Sequence, residues 1–295
     1  MKFKNIRTSA YFLITMLLLI GTSACSKQSD LAQVKVLRVS IQPIRDHFDI
    51  QQSYLSLMKY LEQELKVNIE WVAVTDYQDQ LDKLDKGEVD LALLGGYAFV
   101  IAYQNNNADP LVMRDVDFRF TSYLIVSSDN KASTIADLKG QSFSFTTKLS
   151  CSGHIMPRYF MGTQDIAPES FFSIVRYSGT HDKTAQWVED GVIDAGVVGS
   201  IMLERLLKEN KIGRGKIKVL WETPIYPNYV WAARKNLSEQ LKIDIIEAFI
   251  KLTPDNPQQL KILDQMGAKH YFPANNNDFE PIRRISNQLN MLKMD

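Results

Sequence analysis

Two similar ten-residue stretches, GEVDLALLGG at residues 87–96 and GVIDAGVVGS at residues 191–200, decide the fold of this chain. Each begins with a glycine that can end a helix, continues as a short apolar strand and finishes with small residues that can open a new helix. A helical pattern precedes each stretch. Asp90 and Asp194 stand at the same offset, which favours an internal duplication over coincidence.

Strand-like and helix-like patterns alternate along most of the chain. This alternation predicts an α/β fold of open, mostly parallel sheets flanked by helices. About 270 residues follow the first 25, and 45% of all residues are hydrophobic, which suits two lobes better than one compact unit. Ligands of such sheets bind beyond the carboxyl ends of the strands, where helices begin.

The first 25 residues have the pattern of a secretory signal peptide. Three basic residues precede an apolar run from Tyr11 to Ile20, and small residues lead to Cys25. The apolar run is shorter than the roughly 20 residues that cross a bilayer. Ser-Ala-Cys is typical of a bacterial lipobox, although Thr22 replaces the usual leucine. We predict a lipoprotein signal peptide at residues 1–25 with lipid on Cys25, and ordinary cleavage with a free Cys25 stays open.

Charge and cysteine content argue against several classes of protein. Lys and Arg together number 34, as do Asp and Glu, so the net charge is zero and no nucleic-acid surface is indicated. The two cysteines are Cys25 and Cys151. If the first carries lipid, the second has no disulfide partner.

The stretch TTKLSCSGHIMPRYF at residues 146–160 places small polar residues between a strand pattern and an apolar run. Ser150 or Ser152 can cap the following helix, and Gly153 lets an anion approach the backbone closely. The first N–H groups of a helix have no internal partner and carry partial positive charge, which makes helix starts natural phosphate sites. Pro157 predicts that the helix is kinked there or begins later. A plain cap without a ligand stays open for this motif alone.

A second polar loop, SGTHD at residues 178–182, follows the next strand pattern and precedes another helix. Its position is equivalent to that of the first loop, so His181 can reach the same anion. A lone loop histidine is weak support, but two polar loops at equivalent positions strengthen each other. We therefore expect both loops to face one shared gap.

Two rival interpretations of the cysteine and the histidines are weaker. Nucleophilic catalysis by Cys151, with His154 or with His181 and Asp182, needs a thiolate and a nearby base. No protease or hydrolase signature surrounds the cysteine. A metal site of His154, His181 and Cys151 matches no zinc spacing. We predict a protein that is not an enzyme and that uses neither a metal nor a cofactor.

The chain resembles the phosphate/phosphite/phosphonate-binding proteins of ABC importers, a bacterial solute-binding family with the two-lobed type II periplasmic fold. The small-hydroxyl helix start before Met-Pro-Arg-Tyr-Phe and the Gly-x-His loop are specific in combination. The matching segments cover nearly the whole chain after the signal peptide and lie at residues 87–95, 122–126, 150–160, 179–182 and 224–237.

The resemblance implies a discontinuous first lobe at residues 26–121 and 229–295 and a second lobe at residues 122–228, joined by two hinge crossings. Ligand would bind in the cleft between the lobes and close them. The closed form, a monomer on the periplasmic side of the inner or outer membrane, would dock on an ABC permease. The same fold also serves as a sensor that signals to a membrane kinase or cyclase, and this alternative stays open.

Site residues also carry over from the family by position. Serine hydroxyls and amides would hold the phosphonate group together with a histidine, and an aromatic residue of the first lobe would face the cleft. Cys151 replaces a family threonine and Phe120 a family tyrosine, which removes hydroxyl contacts. The implied ligand-binding residues are Tyr77, Phe120, Ser150, Cys151, Ser152 and His181.

Two further positions bear on the choice of ligand. Family members that bind an aminoalkyl phosphonate hold its ammonium with two carboxylates, and the matching residues here are Ile201 and Tyr229. Burial of an ammonium without a counter-charge is costly. We therefore hypothesise an oxyanion without an amine, such as phosphite, phosphate or a small alkyl phosphonate.

Overall fold

The computed structural model describes residues 36–44 and 47–292, apart from the side chains of residues 47 and 48; the predicted signal peptide and Cys25 lie outside this part. The strands are β1 Val36–Ile41, β2 Asn68–Trp71, β3 Leu91–Leu94, β4 Ala108–Arg114, β5 Ser122–Ser127, β6 Ser142–Phe145, β7 Ile174–Tyr177, β8 Ala195–Gly199, β9 Ile217–Glu222, β10 Val230–Arg234 and β11 Tyr271–Pro273. The helices are α1 His47–Leu65, α2 Tyr77–Asp85, α3 Gly96–Gln104, α4 Met156–Gly162, α5 Pro168–Phe171, α6 His181–Glu189, α7 Ser200–Lys208, α8 Glu239–Ile250, α9 Pro257–Met266 and α10 Glu280–Gln288.

The strands form two sheets, each flanked by helices. The first sheet has the order β11-β4-β10-β3-β1-β2, and the second has the order β7-β6-β8-β5-β9. The prediction of an α/β fold is confirmed, but the sheets are mixed rather than mostly parallel. Strands β10 and β5 each pair antiparallel with both of their neighbours. The physical reason is that each of these strands enters its sheet directly from the other half of the chain, without a helical crossover.

The repeated stretches perform the same structural task in the two sheets. Asp90, just before β3, accepts a hydrogen bond from the backbone N–H of Arg38 in β1 at 2.9 Å. Asp194, just before β8, accepts one from the backbone N–H of Ser142 in β6 at 2.8 Å. Each carboxylate therefore ties its strand to the parallel neighbour. This equivalence supports the duplication that the sequence predicts.

Each sheet has its own apolar core. Trp231 of β10 is buried in the first sheet and packs on Phe249 of α8, with ring centroids 5.4 Å apart. In the second sheet, Phe143 stacks on Phe172 at 4.3 Å. These cores hold the strand ends in place, so that the loops after the strands can carry polar groups.

The chain passes between the two sheets through two neighbouring segments. Phe120 and Tyr226 exchange both backbone hydrogen bonds, each 2.9 Å long, and so form a short antiparallel bridge at the crossing. Tyr226 also contacts the hydroxyl of Ser122 at the start of β5. In the described part of the chain, no helix is both long enough and apolar enough to cross a membrane.

Candidate functional site

The loop after β6 forms a helix start of unusual geometry. Ser150 caps it, because its hydroxyl accepts a hydrogen bond from the N–H of Gly153 at 2.9 Å. The turn that follows, Cys151–Ile155, is π-helical, and α4 begins only at Met156. Pro157 lies in the first turn of α4, where its missing N–H costs no hydrogen bond, so the helix begins later, which is one of the two predicted outcomes.

Two hydroxyl groups beside this turn are buried without a partner. Ser152 and Thr146 are 1% and 0% exposed, and neither hydroxyl oxygen has a hydrogen bond to any described residue. The backbone N–H of Thr146 donates to the carbonyl of Gly153 at 3.0 Å, which folds the loop tightly over it. A buried hydroxyl without a partner costs free energy, so these groups indicate a missing ligand or water.

His181 is the first residue of α6 and is 1% exposed. Burial lowers the pKa of its imidazole to about 4, so the ring is neutral at ordinary pH. Its Nδ1 accepts a hydrogen bond from the N–H of Gly199 at 3.1 Å, which leaves the proton on Nε2. Nε2 has no partner within the described residues. The histidine therefore presents one unused N–H donor.

The two polar loops lie together, as the sequence predicts. The backbone N–H of Gly179 donates to the carbonyl of Thr146 at 2.7 Å, which joins the second loop to the first. Side chains from several elements lie close to the α-carbon of Gly199. An added β-carbon there would lie 3.2 Å from the Ser152 hydroxyl and 3.1 Å from the Phe120 ring. With His181 bonded to the N–H of the same glycine, these side chains surround one point at the end of β8.

Tyr77 and Cys151 connect this point to the first sheet. Tyr77 is the first residue of α2, is 2% exposed, and has its hydroxyl beside Ser150 without a hydrogen bond of good geometry. The thiol of Cys151 lies beside the backbone N–H of Tyr97 in α3. That thiol therefore faces the backbone of the first sheet.

The remaining wall of the site is aromatic and uncharged. The rings of Tyr226 and Tyr229 lie 6.0 Å and 5.6 Å from that of Phe120, and both hydroxyls lie near Ser152. Burial raises the pKa of both phenols well above 10, so they stay neutral. Phe120 lacks the hydroxyl of the family tyrosine, and the two phenols beside it add no charge to the site.

Two features of its surroundings disfavour catalysis by Cys151. Burial raises the pKa of the thiol, which disfavours the thiolate. His154 is occupied on both sides: Nδ1 donates to the carbonyl of Lys148 at 2.8 Å, and Nε2 accepts from Arg158 at 2.9 Å. Among the described residues, no three His, Cys, Asp or Glu side chains are grouped so that they could hold a metal ion.

Ile201 and Tyr229 offer no counter-charge for an ammonium group. Ile201 is half-buried and lines a 590 Å³ groove between α1, α7 and α9. The carboxylate of Asp117, the acidic side chain near Tyr229, binds Arg114 through two contacts of 2.6 Å. A carboxylate paired in this way is not free for a ligand.

Three residues of the site were missed in the sequence. Thr146 opens the polar stretch after the strand pattern of residues 142–145, and a polar residue directly after a strand is a usable signal. Gln42 carries the same signal after β1. Asn228 lies in the crossing segment, where no periodicity marks it. All three are buried and carry a side-chain atom without a partner among the described residues.

Comparison with known proteins gives a consistent result. The family model for the ABC transporter, phosphonate, periplasmic substrate-binding protein matches residues 39–279. A probable ABC transporter phosphite binding protein, PhnD1 of Prochlorococcus marinus, is 26% identical over 295 residues, covering 96% of this chain and 98% of its own. The phosphate-import protein PhnD of Mycolicibacterium smegmatis is 26% identical over 238 residues, covering 74% of each. The structure of PhnD1 with methylphosphonate superimposes with a TM-score of 0.82 at 26% identity, covering 87% of this chain and 99% of PhnD1.

These matches confirm the predicted resemblance and the type II periplasmic fold. The family consists of substrate-binding proteins, which confirms the prediction that the chain is not an enzyme. Its members serve ABC transporters on the periplasmic side, which favours transport over the sensor alternative. The family match spans well over half of the chain. The chain therefore belongs to the periplasmic phosphonate substrate-binding proteins of ABC transporters.

Proposed function

We propose that this chain binds a small phosphorus oxyanion between its two sheets and delivers it to an ABC permease. Phosphite, phosphate and small alkyl phosphonates are the candidate ligands. The observation that carries the proposal is a set of buried donors on adjoining loops and helix starts that have no partner among the described residues: His181 Nε2 and the hydroxyls of Ser152, Thr146 and Tyr77. A tetrahedral oxyanion offers several strong acceptors and would satisfy all of them.

The electrostatics of the site support an anion held by neutral groups. The uncharged imidazole of His181 can donate one hydrogen bond without titrating, since its pKa is about 4. The π-helical turn after Ser150 adds the first N–H groups of a helix start, which favour negative charge. Because these groups are buried, each such hydrogen bond is stronger than it would be in water.

The residues at positions 201 and 229 support a ligand without an amine. Ile201 and Tyr229 are uncharged, and Asp117 is held by Arg114. An ammonium group placed beside these residues would be buried without a counter-charge. We therefore expect 2-aminoethylphosphonate to bind much more weakly than methylphosphonate, which carries no amine.

We propose that the two lobes predicted from the sequence are the parts that move when the protein closes on its ligand. The first lobe comprises residues 26–121 and 229–295, and the second comprises residues 122–228. The bridge between Phe120 and Tyr226 supports hinges at this crossing. Closure around the ligand would bring the helix starts of both lobes together and form the surface that the permease recognises.

We propose that the chain acts as a monomer anchored to a membrane by lipid on Cys25. The support is the signal pattern of residues 1–25, which lie outside the described part. Cys25→Ser should release the protein from the membrane fraction in a bacterial host. Retention of the variant in that fraction would contradict the anchor and leave the ligand proposal intact.

Titration calorimetry on the chain from Ser26 onward tests the ligand. Methylphosphonate, phosphite and phosphate are the probes, sulfate and 2-aminoethylphosphonate are the comparisons, and His181→Ala is the site variant. His270→Ala is the matched control, because His270 is exposed. We expect binding of at least one of the three probes, a loss of roughly tenfold or more with His181→Ala, and no change with His270→Ala. Absence of binding by all three probes would overturn the proposal.

A further inference from the structure

The first sheet carries a pair of buried carboxamides at the start of α3. Gln42 follows β1 and is 1% exposed, and Asn228 precedes β10 and is fully buried. The side-chain oxygen of Gln42 accepts from the N–H of Gly95 at 2.9 Å, and that of Asn228 accepts from the N–H of Gly96 at 3.2 Å. Both NH₂ groups lack a partner in the described part of the chain.

The orientation of both carboxamides follows from hydrogen-bond chemistry. A backbone N–H needs an acceptor, so each side-chain oxygen must face Gly95 or Gly96, and each NH₂ must point away from the helix. The two side chains lie next to each other: a β-carbon added to Gly95 would be 2.8 Å from the Gln42 oxygen and 3.8 Å from that of Asn228. Four N–H donors are thus concentrated in one place with no acceptor among the described residues, which costs free energy unless something binds there.

The pair lies on the wall opposite the loops of the second sheet. Two residues after Gln42, the carbonyl of Ile44 accepts the backbone N–H of His181 at 3.1 Å. Asn228 precedes Tyr229, whose hydroxyl lies near Ser152. The helix that the carboxamides cap also reaches the second half, because the backbone N–H of Tyr97 lies beside the Cys151 thiol. Both ends of the pair therefore adjoin the unpartnered donors of the second sheet.

We propose that Gln42 and Asn228 are the ligand-binding residues of the first sheet and donate their NH₂ hydrogens to the same oxyanion. This inference rests on the proposed function. The second sheet would grip one side of the anion with hydroxyls and imidazole, and the carboxamides would grip the other side only when the two halves are together. The pair thereby makes closure depend on the ligand, since without an anion the closed form leaves four buried donors unsatisfied.

Isosteric acid variants test this role. Gln42→Glu and Asn228→Asp keep an oxygen for Gly95 and Gly96 but remove the donors and add negative charge. Asn256→Asp is the matched control, because Asn256 caps α9 in the same way, through the N–H of Gln258 at 2.9 Å, at an exposed position. With methylphosphonate as probe, we expect each site variant to bind roughly tenfold or more weakly and the control to bind like the parent.

The outcomes separate this inference from the proposed function. If the parent chain binds none of the oxyanions, the proposed function fails. If the parent binds and both acid variants bind within threefold of it, the role of the pair is overturned while the function stands. If the variants do not fold, nuclear magnetic resonance on the parent chain still tests the inference. The side-chain NH₂ signals of Gln42 and Asn228 should shift on addition of methylphosphonate, and unchanged signals at saturation would also overturn the inference.

Discussion

Gly153→Ala tests the geometry of the loop on which the anion site depends. A β-carbon at this glycine would lie 1.9 Å from the hydroxyl oxygen of Thr146 and 2.5 Å and 2.7 Å from its methyl carbon and β-carbon. Contacts this short cannot be tolerated, so either the turn or Thr146 must move. Because both are buried, we expect the free energy of unfolding to fall by about 3 kcal/mol, which is the upper part of the range for overpacked interiors.

Thermal unfolding and calorimetry measure the two consequences of this substitution. For a chain of this size, about 3 kcal/mol lowers the melting temperature by roughly 6 to 12 °C. Methylphosphonate affinity should fall as well, because Thr146 and Ser152 no longer face the same point. Gly162→Ala is the control: its β-carbon meets nothing within 4 Å, and the change should leave binding unaltered and stabilise α4 slightly.

A double variant decides whether the contact itself is responsible. Thr146→Gly removes all three atoms that the new β-carbon would meet, so in combination with Gly153→Ala it should cost less than the sum of the two single changes. Native stability and affinity in Gly153→Ala would refute the close packing of this loop. Strict additivity in the double variant would show that the loss has another cause.

Three more predictions concern pH, closure and accessibility. Burial lowers the pKa of His154 and His181 from 6.5 to about 4, so the unfolded chain takes up protons that the folded chain excludes as pH falls through this range. Each histidine should lower the free energy of unfolding by about 3 kcal/mol by pH 4. The melting temperature of His181→Gln should therefore fall less steeply with decreasing pH than that of the parent, and an equal slope would contradict this. The ion pair between Lys211 and Asp49 joins the segment after α7 to α1, and Lys211→Met should weaken methylphosphonate binding about two- to fivefold at low salt only. In a Cys25→Ser chain, saturating methylphosphonate should slow alkylation of the buried Cys151 by about tenfold or more, and equal rates would argue against closure over the thiol.

Local chemistry explains which parts of the site could be predicted from sequence. Ser150 as a cap, the delayed helix before Pro157 and the polar loop at His181 depend on neighbours within a few residues, so their patterns are visible in the chain. The repeated glycine–strand–glycine stretches likewise indicate two similar halves, because helix ends and short apolar strands have local signatures.

The direction of β5 and β10 and the meeting of Gln42 with Asn228 depend on residues that are far apart in the sequence. Strands β5 and β10 run antiparallel because each enters from the opposite half, a property of chain path rather than of residue pattern. Gln42 and Asn228 are separated by most of the chain and meet only at the start of α3.

The sequence by itself therefore determined the α/β class, the two similar halves and the two polar loops at helix starts, since these follow from short-range periodicity and capping. Only the tertiary structure decided that Cys151 faces Tyr97, that the neutral imidazole of His181 carries its proton on Nε2, and that the NH₂ groups of Gln42 and Asn228 are buried without a partner among the described residues. The physical reason is that burial and long-range hydrogen bonds set the protonation and orientation of a side chain, and neither is encoded within a few residues of it.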